Sequence, residues 1–217
     1  MRSQLLKLYQ SQHNIFNEVR NQFPNDDLAG PFLVSPNNKY TLQKNQLLVI
    51  GQETKGWGYD IDDLNKQMEG YEKFNLGINY YASPFWNVTR KLEKAIGNEH
   101  YSSVWTNISK FDVSGKRAIG KHEVAISKLD NILIDEINIL KPNVCIFFTG
   151  PSFDYRLKRI FPSLNFKAVD NFNKNNLCQL SHPNLPELSF RSYHPNYLRR
   201  SKKENSFLQF MTTLSNL

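Results

Sequence analysis

A chain of 217 residues with 40% hydrophobic and 22% charged side chains is long enough for one sizeable core and has the make-up of a globular domain. Its longest apolar runs are strand-length, which excludes a membrane-spanning helix, and its 2 cysteines are too few for a disulfide framework or a four-thiolate metal or cluster site. With 27 Lys and Arg against 20 Asp and Glu, the formal charge of +7 favours acidic partners, nucleic acid first.

The first predicted element is an amphipathic helix over residues 3–23, with Leu5, Leu8, Ile15, Phe16 and Val19 as its apolar positions. Polar residues interrupt it too often for the core of a signal peptide, so export is not expected; a reducing cytoplasm fits the isolated Cys145 and Cys178. Residues 24–45, with several prolines and polar clusters, read as a covering loop, which makes 1–45 an N-terminal helix and cover. The apolar run 47–50, closed by Gly51, predicts a buried strand. Gln52, Glu53, Thr54, Lys55, Trp57 and Tyr59 stand just beyond it. Residues 60–71 predict a short helix with Asp60 and Asp62 available as caps. Ser83 and Pro84 open a clearer helix that stops before Gly97 and buries Phe85, Val88, Leu92 and Ile96.

A strand ending near Asn107 follows. Ile126, Leu129, Leu133, Ile137 and Leu140 then fall at helical spacing over 122–140, with Pro142 blocking continuation. The run 144–150 is another buried strand that takes Cys145 into the core, and Pro151 starts a further helix. A polar loop, a strand over 177–180, a strand over 188–193 and a helix over 203–214 complete the chain. Strands alternating with helices predict a three-layer α/β/α fold with a mostly parallel central sheet, in a single domain spanning 1–217 without repeats or linkers.

Three strand ends carry distinctive side chains: Gln52 and Glu53, Asn107, and the run from His194 to Leu198. In open α/β sheets, ligands bind beyond the carboxyl ends of the strands. A carboxylate there can orient water or stabilise positive charge developing at a sugar carbon. An asparagine amide offers a donor and an acceptor to a base edge, and a histidine can donate to an oxygen that gains negative charge. Two basic clusters, Lys110, Lys116, Arg117 and Lys121, and Arg199, Arg200, Lys202 and Lys203, follow strand ends and could contact phosphates.

Each of these residues also has a plainer reading. The Glu53 segment reads as a polar surface loop, Asn107 as a loop cap, His194 as a structural histidine before a proline turn and Leu198 as a core leucine. The aromatics read as packing and the basic clusters as solvated loops. A second His-Pro-Asn stands at His182, but His194 has the strand over 188–193 to sit on, whereas His182 leads into Pro186 and a loop. There is no glycine-rich phosphate loop, and no His/Cys spacing suggests a metal site.

Taken in order, four segments resemble the uracil-DNA glycosylase superfamily. Gly51-Gln52-Glu53-Thr54 is similar to its Gly-Gln-Asp-Pro motif. VWTNISKF (104–111) resembles the Thr-Asn-Val-Val-Lys strand of the thermophile-type branch, and LKPNVCIFFTG (140–150) that branch's Ala-Pro-x-hydrophobic-Gly strand. YHPNYLRR (193–200) is close to its His-Pro-x-Tyr-Leu-Leu-Arg block. The likeness extends from about residue 46 to 217. It implies hydrolysis of the N-glycosidic bond of uracil, or a related damaged base, after the base is flipped from the DNA stack.

By that resemblance Glu53 assists water attack on the anomeric carbon and His194 hydrogen-bonds the departing base. Gln52 and Asn107 bind the base, with Trp57, Tyr59 or Phe74 as its stacking ring. Leu198 is the wedge, and Arg199 and Arg200 hold backbone phosphates. The implied partner is single- or double-stranded DNA containing a damaged base; a monomer without metal or organic cofactor is expected. The chain departs from the family pattern in four respects. Thr54 stands for the proline, Glu53 is one methylene longer than the family's aspartate, the thermophile-type branch's cluster cysteines are absent, and residues 60–82 have no counterpart in the pattern. A non-catalytic DNA-binding protein of the same fold is the alternative, and an enzyme acting on a free nucleoside is the third reading.

Overall fold

The computed structural model describes residues 1–58, 62–79 and 83–214, so Tyr59 and Asp60 lie outside the described residues. In chain order the elements are α1 (Arg2–Ser11), α2 (His13–Asn21), β1 (Leu28–Ala29), β2 (Leu47–Gly51), α3 (Leu64–Phe74), α4 (Pro84–Ala95), β3 (Val104–Asn107) and β4 (Asp112–Val113). They continue with α5 (Lys121–Ile126), α6 (Ile132–Leu140), β5 (Val144–Phe147), α7 (Asp154–Ile160), β6 (Asn165–Ala168), β7 (Leu177–Ser181), β8 (Leu188–Ser192), α8 (Pro195–Arg200) and α9 (Glu204–Thr213). Among the described residues no helix is long and apolar enough to cross a membrane.

Six strands make one sheet in the order β3-β2-β5-β8-β7-β6, and β1 pairs separately with β4. β2, β5 and β8 run parallel, with Leu47 opposite Val144 and Val144 opposite Leu188, while β7 runs antiparallel to β8 and β6 antiparallel to β7. The chain is therefore mixed α/β with a six-stranded, mostly parallel sheet, as the alternation of elements predicts. β6 was hidden in what reads as a polar loop. It is an edge strand, largely exposed and carrying Lys167, and such an exposed edge lacks the apolar run that marks a central strand.

By its contacts the chain divides into two compact units. The first comprises Met1–Pro36, Gly51–Lys73 and Thr106–Leu140; the second comprises Asn37–Ile50, Phe74–Trp105 and Lys141–Leu217.

In the second unit, Leu47 and Val49 of β2, Val144 and Ile146 of β5 and Phe190 of β8 share a core with α4 and α9 residues such as Leu92 and Met211. These strand positions are two apart because successive side chains point to opposite faces. Leu48 and Ile50 are equally buried, which is why β2 reads as an unbroken apolar run. α4 begins as predicted: Ser83 Oγ accepts the Trp86 N–H at 3.2 Å and Pro84 occupies the first turn. The buried Glu93 carboxylate of α4 receives the Tyr101, Ser102 and Ser103 N–H groups and the Ser103 hydroxyl at 2.7–3.0 Å. It thereby fastens the turn that leads into β3. Burial pushes both thiols of this unit up, Cys178 to about 11, so each stays a protonated core group.

In the first unit, α1 and α2 replace the single helix predicted over 3–23. The break is Gln12, whose φ of −98° and ψ of 0° lie in the bridge region between one helix and the next. The helix predicted over 60–71 is α3, with the Asp63 side chain accepting the Lys66 N–H at 3.0 Å. Over 122–140 the predicted apolar stripe is buried, but a 3-10 turn at Ser127–Leu129 divides α5 from α6.

The centre of this unit is polar. Lys110, with no exposed side-chain surface, donates to both Glu136 carboxylate oxygens at 2.7 and 2.8 Å and to Thr106 Oγ1 at 2.8 Å. Thr106 and Tyr9 each donate a hydroxyl to the same carboxylate, and Tyr9 in turn accepts the Val34 N–H. Burial first, and Glu136 second, hold the Tyr9 phenol well above its ordinary range, which keeps it a donor. All three ammonium protons of Lys110 are matched, the condition under which a buried charge is tolerated. This corrects the expectation that Lys110 belongs to a phosphate-contacting cluster: it is consumed inside the fold.

Candidate functional site

The loop after β2 and the segment after β3 are neighbours in the first unit. Ile108 N–H donates to Gly51 O at 3.1 Å and Ser109 N–H to Gln52 O at 2.9 Å. Residue numbers rise together in these bonds, so the two segments leave their strands side by side and in the same direction. The structure thus brings Gln52 and Glu53 next to the segment that begins at Asn107. Gln52 and Glu53 are half-buried, and Asn107 is buried at the end of β3.

The Glu53 loop is tied from below by a residue the sequence reading missed. Asp112, fully buried at the start of β4, accepts the Thr54 hydroxyl and, at 2.8 Å, the Gly56 N–H on one oxygen. Its other oxygen accepts the Gly115 N–H at 2.7 Å. The Asp-x-x-Gly spacing that closes this last turn is the signal that could have found it. Gly58, at the far end of the loop, has a φ of +80°, and a Cβ there would stand 2.6 Å from the Gln67 amide oxygen. The turn therefore depends on glycine. Half-buried Trp57 packs edge-on against Phe32, ring centroids 5.7 Å apart.

In the second unit His194 follows the end of β8, as predicted, and caps α8. Its Nδ1 accepts the Asn196 N–H at 3.2 Å. An Nδ1 that accepts is unprotonated, so the neutral ring carries its hydrogen on Nε2 and offers a donor there. Burial lowers the pKa of this imidazole below its ordinary range, which favours the neutral form. Phe85 lies alongside it, ring centroids 5.8 Å apart and planes tilted by 33°. Phe85 reads in the sequence as a stripe residue of α4, and only the packing shows its position beside His194. Phase of the helix alone could not.

The second His-Pro-Asn turn has the same local bond, from Asn184 N–H to His182 Nδ1 at 3.1 Å. Topology separates the two. β7 is antiparallel to β8, with Leu177 opposite Ser192, so His182 leaves the sheet at the edge opposite to His194. His194 shares the carboxyl edge of the parallel strands β2, β5 and β8. At that edge Gly150 N–H donates to Ser192 O at 2.9 Å, and Gly150, at φ +69°, lies under the Tyr193 ring.

Leu198 is placed differently from the wedge expectation. It is 1% exposed and belongs to the core of the second unit, so the plainer reading describes its position. The exposed side chains of α8 are Asn196, Tyr197, Arg199 and Arg200. Arg199 lies 3.5 Å from Glu204, a carboxylate that also receives Lys91. Phe74 packs among Trp86 and Trp105. Lys116 and Lys121 are exposed and Arg117 is half-buried. No family model matches the chain, and no curated protein matches it.

Proposed function

We propose that the chain is a base-excision glycosylase of the uracil-DNA glycosylase-like α/β/α fold, a single-domain cytoplasmic enzyme that hydrolyses the N-glycosidic bond of uracil or a related damaged base in DNA. The observation that carries this reading is His194. At the carboxyl edge of the parallel strands, a neutral imidazole with Nδ1 occupied presents Nε2–H as a fixed donor. A base that departs as an anion needs such a donor, and a donor already oriented costs no reorganisation when charge develops.

In this reading Glu53 orients the attacking water and stabilises positive charge at the anomeric carbon. Asn107 and Gln52 read the polar edge of the base. Phe85 joins Trp57 and Tyr59 as a candidate stacking ring. Arg200 and Lys202, both exposed, with Arg199, meet backbone phosphates. Leu198 is given no role in DNA insertion.

The test is base release from single- and double-stranded oligonucleotides containing uracil, hypoxanthine or a mismatch, read together with DNA affinity at several salt concentrations. Base release with salt-sensitive affinity supports the proposal. Salt-sensitive binding without release of any base overturns it in favour of the non-catalytic DNA-binding protein.

A further inference from the structure

We infer that Asp112 and Thr54 together are the positioning pair for Glu53, and that their hydrogen bond restrains the backbone at the position where a Gly-Gln-Asp-Pro motif has the ring of its proline. This inference rests on the glycosylase reading of Glu53. A proline one residue after a catalytic acid restricts the backbone by fixing φ. Thr54 has no such constraint. Its hydroxyl instead reaches Asp112, and both residues are almost completely buried, Thr54 at 3% and Asp112 at 0% exposure.

The restraint is distributed along the loop. Upstream of Glu53, Gly51 O and Gln52 O are held by Ile108 N–H and Ser109 N–H. Downstream, Thr54 and Gly56 are held by one Asp112 oxygen, and the other oxygen is fixed by Gly115 N–H. Glu53 therefore sits between two anchored stretches while its own side chain is only half-buried. Asp112 belongs to β4, whose pairing with β1 places Ala29 opposite it. The loop thus inherits its position from a strand pair and not from its own conformational preference. Asp112 does not face the substrate in this scheme; it acts through Glu53.

Thr54→Val keeps the shape and removes the hydroxyl donor, and Thr54→Ser restores it. In single-turnover excision Thr54→Val is expected to lower the rate constant by about 10- to 100-fold, as a misplaced catalytic group does, with DNA affinity unchanged. Thr54→Ser is expected to return the rate towards wild type, which a purely steric role for the threonine methyl would not produce. Amide hydrogen exchange supplies a readout independent of activity: Thr54→Val and Asp112→Asn should speed exchange at Gly56. Wild-type rate and unchanged Gly56 protection in Thr54→Val would overturn the inference. If the wild type releases no base, the glycosylase reading fails by itself, and Gly56 exchange alone decides whether the pair anchors this loop.

Discussion

Lys110→Met is expected to destabilise the protein by about 3–5 kcal/mol, the usual result of removing one partner from a buried ion pair. The reason is the charge left behind. Glu136 has no exposed side-chain surface, and without Lys110 it keeps, among the described residues, the Tyr9 and Thr106 hydroxyls. Two hydroxyl donors do not replace an ammonium in a medium of low dielectric constant. The double variant Lys110→Met, Glu136→Leu removes both charges and is expected to recover most of the loss, because apolar replacement of a whole buried pair is often neutral. Urea unfolding of the two variants and the wild type checks this. A single variant as stable as the wild type, or a double variant no better than the single, would contradict the description of the network.

His194→Ala is expected to lower the excision rate constant by about 100- to 1000-fold, the typical effect of removing one donor to a developing oxyanion. The same residue predicts a pH dependence. Burial depresses the folded-state pKa of His194 below its unfolded value of about 6.5, so its contribution to stability is fully present above that pH. It is lost as pH falls from there through the folded pKa, because the unfolded chain then binds the proton more readily. Protonation also occupies Nδ1 and ends its hydrogen bond with Asn196 N–H. Excision should therefore fall on the acid side, and the stability advantage of wild type over a His194→Gln variant should shrink there. Nitrogen-15 spectra of the imidazole should show the Nε2–H tautomer near neutral pH. An Nδ1–H tautomer would contradict the donor assignment.

The parts of the fold that were legible in the sequence are those whose residues sit in one environment throughout. β2 is buried along its whole length and announces itself as Leu-Leu-Val-Ile; α4 has its cap, proline and trailing glycine in order. β6 was not legible because an exposed edge needs no apolar pattern. The break at Gln12 was not legible because it leaves polar residues polar and merely alters backbone angles.

The candidate site divides in the same way. The positions of His194, Asn107 and Glu53 at or just beyond strand ends were legible, since a strand followed by polar side chains is a local signal. Asp112 and Phe85 contact partners far away in the chain, Thr54 and His194. Such pairings depend on topology, which no single stretch encodes. Lys110 and Leu198 show the converse: composition made one a surface cation and the motif made the other a wedge, whereas packing buries both.

The most direct test of the central proposal is single-turnover release of uracil from a labelled oligonucleotide by wild type and by Glu53→Gln, with DNA affinity measured beside it. Glu53→Gln preserves size and removes the negative charge. The proposal predicts alkali-labile abasic DNA with the wild type, and a rate constant lowered by about 100- to 10,000-fold in the variant at unchanged affinity. Equal rates for the two proteins, or DNA bound by both with no uracil released, would contradict it.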